Sequence, residues 1–156
     1  MTRPFLTKGF FALAALALAS CGRDAPLGPP AIHYGQDVCA GCAMIVSDDR
    51  FAAAIVNPAP DASPLVFDDV GCLLAYERKN PAVAPWTHYF HDANSHQWIT
   101  ADQAHFVITS RETPMGSGIF AFQSPSDAQT LAQSAKTTIQ TFAGLSHVVA
   151  TASTTR

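Results

Sequence analysis

The feature that most restricts the fold of this chain is an order of apolar runs that occurs twice. Phe51-Ala52-Ala53-Ala54-Ile55-Val56 has strand character and is stopped by the turn Asn57-Pro58-Ala59-Pro60-Asp61. Leu65-Val66-Phe67 begins a second strand. Asp68-Asp69 then offer an N-cap to a helix over 70–79. In it apolar residues recur three and four apart, Arg78 and Lys79 crowd the C-terminal end, and Asn80-Pro81 closes it. Residues 86–91, rich in aromatics, supply a third strand. The order returns with strands over 105–109 and 118–122, a helix capped by Pro125-Ser126-Asp127 and running to Ala135, and a β-branched strand over 136–142. The repeat is about 55 residues, longer than solenoid repeats. The expected fold class is α+β: two small tandem ββαβ units packed together, about 37–95 and 96–144. The tail, 145–156, is rich in Ser, Thr and Ala and is expected to be flexible.

The N-terminal end belongs to a different physical category. Arg3 and Lys8 precede the apolar run Phe10–Ala19, which has the form of a secretory signal and is shorter than the roughly 20 residues of a membrane span. Leu18-Ala19-Ser20-Cys21 resembles the lipobox of bacterial lipoproteins. That resemblance implies cleavage after residue 20 and lipid on Cys21, anchoring the protein to the periplasmic side of a bacterial membrane. Residues 22–36, with prolines and glycines and little to bury, read as a flexible tether. Loss of the signal removes Arg3 and Lys8, so the formal charge of −3 becomes more negative. No basic run exists, and nucleic acid is excluded as a partner.

The chemistry concentrates in Asp37-Val38-Cys39-Ala40-Gly41-Cys42-Ala43-Met44-Ile45-Val46. Of only four cysteines and three methionines in the chain, two thiols and one thioether lie between 39 and 44. Sulfur ligands suit a soft ion, Cu(I) first. An extended backbone from Cys42 onward sets Cys42 and Met44 on one face, and a turn at Ala40-Gly41 brings the sulfur of Cys39 towards that of Cys42. A neutral thioether does not titrate and cannot form a disulfide, which suits an exported site. Cys39 has other readings: with Cys42 it forms a Cys-x-x-Cys pair, open to use as a zinc half-site or a redox dithiol. Cys72, among Val70, Leu73 and Leu74, reads as a buried apolar residue. Asp68 and Asp69 read as helix caps, and His91-Asp92 as a surface hydrogen bond. No Ser-His-Asp set, phosphate loop or carboxylate pair stands out, so an enzyme is not indicated.

Four stretches together resemble the NosL family of nitrous oxide reductase accessory proteins, which are copper-delivering lipoproteins. They are Cys39–Ile45, Phe67–Leu74, Trp98–Ala101 with Ala104–Val107, and Thr113–Phe122, and their order matches. The resemblance implies two ββαβ units within a domain over 37–144, Cu(I) binding in the periplasm, and delivery to nitrous oxide reductase. It places the family's Cys-x-Met pair on Cys42 and Met44 and its later methionine on Met115. Where some members carry a histidine soon after that methionine, this chain has Gly116 and Ser117. The rival reading is a thiol-disulfide protein in which Cys39 and Cys42 act on an exported partner. Zinc is the second choice of metal.

Overall fold

The computed structural model describes residues 28–59, 62–81 and 86–154. The signal segment, Cys21 and the first part of the tether lie outside these residues. Ten elements follow one another: β1 (Ala53–Val56), β2 (Leu65–Phe67), α1 (Val70–Lys79), β3 (Thr87–His91), β4 (Trp98–Thr100), β5 (His105–Ile108), β6 (Ile119–Phe122), α2 (Pro125–Ala135), β7 (Ile139–Gln140) and α3 (Phe142–Thr154). They form two antiparallel sheets, ordered β2-β1-β3-β4 and β6-β5-β7. The fold is therefore α+β, and the duplication extends to topology. In each half the first strand is central, and it pairs with the strand of its own hairpin on one side and the strand after the helix on the other.

β1 lies wholly in the interior, with Ala53 opposite both Phe67 and Phe90. Its alanines leave room for those rings. One core runs through both halves: Phe67, Leu73, Phe90 and Ile99 share it with Phe106 and Ile119. Phe90 meets Phe106 edge-on at 4.9 Å between ring centres. Such a contact contributes about 0.5–1.5 kcal/mol beyond simple burial, and here it joins the two sheets.

Three expectations change. First, the tail is not loose. α3 begins after Thr141, whose side chain accepts from the Gly144 N–H, and Leu145 is fully buried in the common core. A capped first turn with one well-placed leucine outweighs a weakly patterned sequence. The expected closing strand over 136–142 shrinks to Ile139–Gln140 for the same reason, since Phe142 leaves the sheet to pack on Phe90 and Phe106.

Second, β4 was not foreseen. It returns along β3 through a turn organised by buried Asp92, whose carboxylate accepts from Asn94 N, Ser95 N, Ser95 Oγ and, across the halves, Gln123 N. Third, the ordered fold starts before residue 37. Gly35 N donates to Val46 O at 2.9 Å, and Tyr34 Oη lies 2.9 Å from His91 Nε2. His91 is consequently buried rather than a surface group. Its pKa is lowered, chiefly by that burial.

Candidate metal centre

The site is built from a hairpin laid against the first turn of a helix. Val38 pairs with Ile45, Cys39 N donates to Met44 O at 2.8 Å, and Ala43 N donates to Cys39 O at 2.9 Å. Ala43 takes a left-handed backbone (φ 62°), which closes the loop between the two cysteines and Met44. The expected extended run from Cys42 to Met44 is therefore broken at Ala43. Ala40 N donates to Val66 O at 2.9 Å and so docks the hairpin on the outer edge of β2.

Since β2 leads directly into α1, docking on β2 sets the hairpin beside Cys72. Gly41 permits the approach: a Cβ there would lie 2.8 Å from the Cys72 carbonyl oxygen. The sulfur atoms of Cys39, Cys42 and Cys72 all lie within 4.8 Å of one another, and all three are free thiols. Cys72 is buried, as the sequence suggested, yet its sulfur faces the other two rather than serving only as packing.

The thiols are electrostatically unequal. Cys39 is pulled down to about 5, first by a hydrogen bond from the Cys72 thiol and further by the N–H groups of Asp68, Cys42 and Gly41, against the opposing effect of its burial. Cys72 moves in the opposite direction, because it donates to the Cys39 sulfur and is itself buried. Cys42 is raised, mainly by burial. The cluster thus holds one thiolate ready at neutral pH, and a thiolate is the metal-binding form.

Asp69 fixes the relation between this cluster and the second half of the chain. Fully buried, it caps α1 by accepting from Cys72 N through Oδ1 (3.1 Å). Its Oδ2 accepts from Thr113 Oγ1 (2.9 Å), Met115 N (3.3 Å) and Ser117 N (3.4 Å). Asp68, expected to share the capping, instead accepts from Ser47 N and Ser47 Oγ. Gly71 completes the junction, since a Cβ there would lie 2.5 Å from the Ser117 Cβ.

Met44 and Met115 are well exposed, at 58% and 40%. They line one open groove of about 550 Å³ between the halves, with Ile45, Phe51, Thr113 and Pro114. The four sulfur residues expected from sequence thus divide into two neighbouring places: Cys39 and Cys42 join Cys72 in the cluster, while Met44 and Met115 face the groove. Sequence reasoning missed Cys72 as a site residue. Its one sequence signal was the strand-Asp-Asp-x-Gly-Cys context, which places the thiol on the first helical turn.

Three sulfurs at bond lengths of about 2.3 Å from one ion stand about 4 Å apart, so the cluster needs little adjustment to hold a metal. Among the described residues no histidine or carboxylate joins the group. Three thiolates suit a soft, thiophilic metal ion.

Fold and site together define a class: a small two-sheet α+β protein that presents a thiol cluster able to hold a metal ion. The chain belongs to the NosL family, whose model matches residues 30–149. Its fold is similar to the crystal structure of the copper chaperone NosL from Shewanella denitrificans, with a TM-score of 0.61 and 20% sequence identity over 75% of this chain and 94% of that chain. No curated protein sequence matches significantly.

Proposed function

We propose that the protein is an exported Cu(I) carrier that delivers copper for the assembly of nitrous oxide reductase. The observation that carries the reading is the convergence of three free thiol sulfurs within 4.8 Å at a hairpin beside the surface. Family membership and the likeness to a copper chaperone support copper as the cargo, and the reductase as recipient is what the resemblance of the four sequence stretches implies. Cys21 would bear lipid and hold the protein at the periplasmic face of a membrane, as the lipobox-like stretch Leu18-Ala19-Ser20-Cys21 implies. In this reading Cys39, Cys42 and Cys72 bind the ion as thiolates, and Met44 and Met115 stand at the exit.

The test is anaerobic competition of the full chain, in detergent and reductant, against a coloured Cu(I) chelator. Tight one-to-one binding, weakened by Cys42→Ser, is expected. Absence of competition overturns the copper reading and directs attention to a disulfide exchange between Cys39 and Cys42. Mass spectrometry of protein from bacterial membranes tests the anchor: a diacylglycerol adduct on Cys21 is expected, and an unmodified Cys21 refutes it.

A further inference from the structure

We propose that Cys42 is a site of reversible thiol-disulfide modification: it takes up an exogenous disulfide and passes the bond to Cys39, and the Cys39–Cys42 bridge closes the metal site while Cys72 stays a thiol. The chemistry itself needs no metal. Its consequence for copper loading rests on the copper-carrier reading.

The three thiols lie within 4.8 Å of one another but differ in access. Cys39 and Cys72 are only 1% and 8% exposed, whereas Cys42 is half-buried on the hairpin loop. In thiol-disulfide exchange the attacking sulfur lines up with both sulfurs of the disulfide, so a reagent from outside needs an open approach to the thiol. Of the three, only Cys42 offers one. A mixed disulfide formed there holds its sulfur beside two buried thiols.

Local geometry selects Cys39 as the thiol that resolves it. Ala43 N donates to Cys39 O at 2.9 Å, so residues 39–43 form a single turn. Such a turn brings Cα atoms three residues apart to within about 7 Å, and a disulfide spans about 4.4–6.8 Å between Cα atoms. Bridging this pair rotates two side chains of one loop. A bridge to Cys72 would instead draw the hairpin against α1, where no space is left: a Cβ at Gly41 would already lie 2.8 Å from the Cys72 carbonyl oxygen.

The electrons balance in two exchanges. The Cys42 thiol, having given its proton to water, attacks one sulfur of the incoming disulfide, and one thiolate leaves. The Cys39 thiol loses its proton in the same way, its sulfur attacks that of Cys42, and the second thiolate leaves. The two thiols of the chain lose two electrons and the exogenous disulfide gains them, its halves leaving as thiols. A dithiol reductant reverses both steps. The bridge removes two of three sulfurs, so the oxidised site refuses copper, and a bound ion that occupies all three sulfurs blocks the modification.

The experiment exposes the full chain in detergent, metal-free, to glutathione disulfide, quenches with N-ethylmaleimide and digests with trypsin. Cleavage after Arg23, Arg50 and Arg78 puts Cys39 and Cys42 on one peptide, Cys72 on the next and Cys21 on neither. An internal bridge in peptide 24–50 and an alkylated Cys72 are expected. Cys39→Ala should stop at a glutathione adduct on Cys42, and Cys42→Ser should react about ten-fold or more slowly than wild type. Against bicinchoninate, the bridged wild type should lose Cu(I) affinity by about 100-fold or more and regain it with dithiothreitol. Peptide 24–50 linked to peptide 51–78, or Cys42→Ser oxidised at the wild-type rate, overturns the inference, as does full copper affinity in the bridged protein. A reduced wild type that binds no copper instead sinks the copper reading alone, because the peptide map is obtained without metal.

Discussion

The two halves of the molecule are the same scaffold put to different uses, and the contrast is sharpest at their helices. α2 begins in an ordinary way. Half-buried Ser124 caps it by accepting from Asp127 N at 3.3 Å, and Pro125 occupies the first turn, where its missing N–H costs nothing. α1 begins on fully buried Asp69, followed by Gly71 and Cys72. The second carboxylate oxygen of Asp69 holds a loop from the other half, and Gly71 makes room for that loop at Ser117. A cap that only ends a helix can stay at the surface. One that also positions a thiol and a distant loop must be buried, and then every lone pair needs a donor. The difference teaches that the first half draws its chemistry from a structural position, the helix N-terminus, together with the Cys39–Cys42 hairpin that precedes β1.

That comparison can be broken most severely at Asp69. Asp69→Ala leaves Thr113 Oγ1 and Met115 N without their carboxylate acceptor and Cys72 N with only the backbone carbonyl of residue 69, and the loss of stability is expected to be about 3 kcal/mol or more in chemical denaturation. Copper affinity should fall with it. The matching change in the other half, Ser124→Ala, should cost about 1 kcal/mol and leave copper binding unaltered. Equal costs at the two caps would end the distinction drawn here.

Leu145→Ala tests whether α3 belongs to the common core, with an expected loss of about 2–5 kcal/mol. A negligible change in the melting curve would return residues after Gly144 to the status of a loose tail. Gly41→Ala comes next. Its Cβ would press on the Cys72 carbonyl at 2.8 Å, with an expected cost of about 1–3 kcal/mol and weaker copper binding.

The sharpest in resolution is the pH response of the metal-free thiols. Cys39 is depressed from an ordinary 9.0 to about 5. Its thiolate therefore contributes stability that is fully present above pH 9, fades as the pH falls, and is gone below about 5. Thiolate absorbance of the apo protein should accordingly rise as the pH passes about 5. In Cys72→Ala the rise should move upward, because the Cys72 hydrogen bond is the main cause of the depression. A rise that stays in place in the variant would assign the depression to the backbone N–H groups instead.

Much of this architecture was legible in the sequence because its signals are local. Asp68-Asp69 before an apolar run, Asn80-Pro81 after it, and Pro125-Ser126-Asp127 in the second half each marked a helix end within a residue or so. The Cys-x-x-Cys spacing and nearby Met44 marked the stretch that carries the site, though not its hairpin form, which turns at left-handed Ala43. What stayed hidden depends on contacts far apart in the chain. Cys72 joins Cys39 and Cys42 only because Ala40 docks on Val66, a pairing that no spacing announces. β4 is only three residues long and owes its place to the turn around Asp92. Asp69 looked like a cap and is one, but its contacts to residues 113–117 exist only in three dimensions.

The burial of Leu145 sets a timetable for biosynthesis. It belongs to the same packed cluster as Cys39 and Cys72, yet about 70 residues separate it from the last of these in synthesis order. A chain emerging from its N-terminus has long exposed both thiols when this leucine arrives to finish the packing around them. The cysteines therefore spend most of the chain's early life unprotected, and whatever keeps them reduced during export must act before the last helix docks.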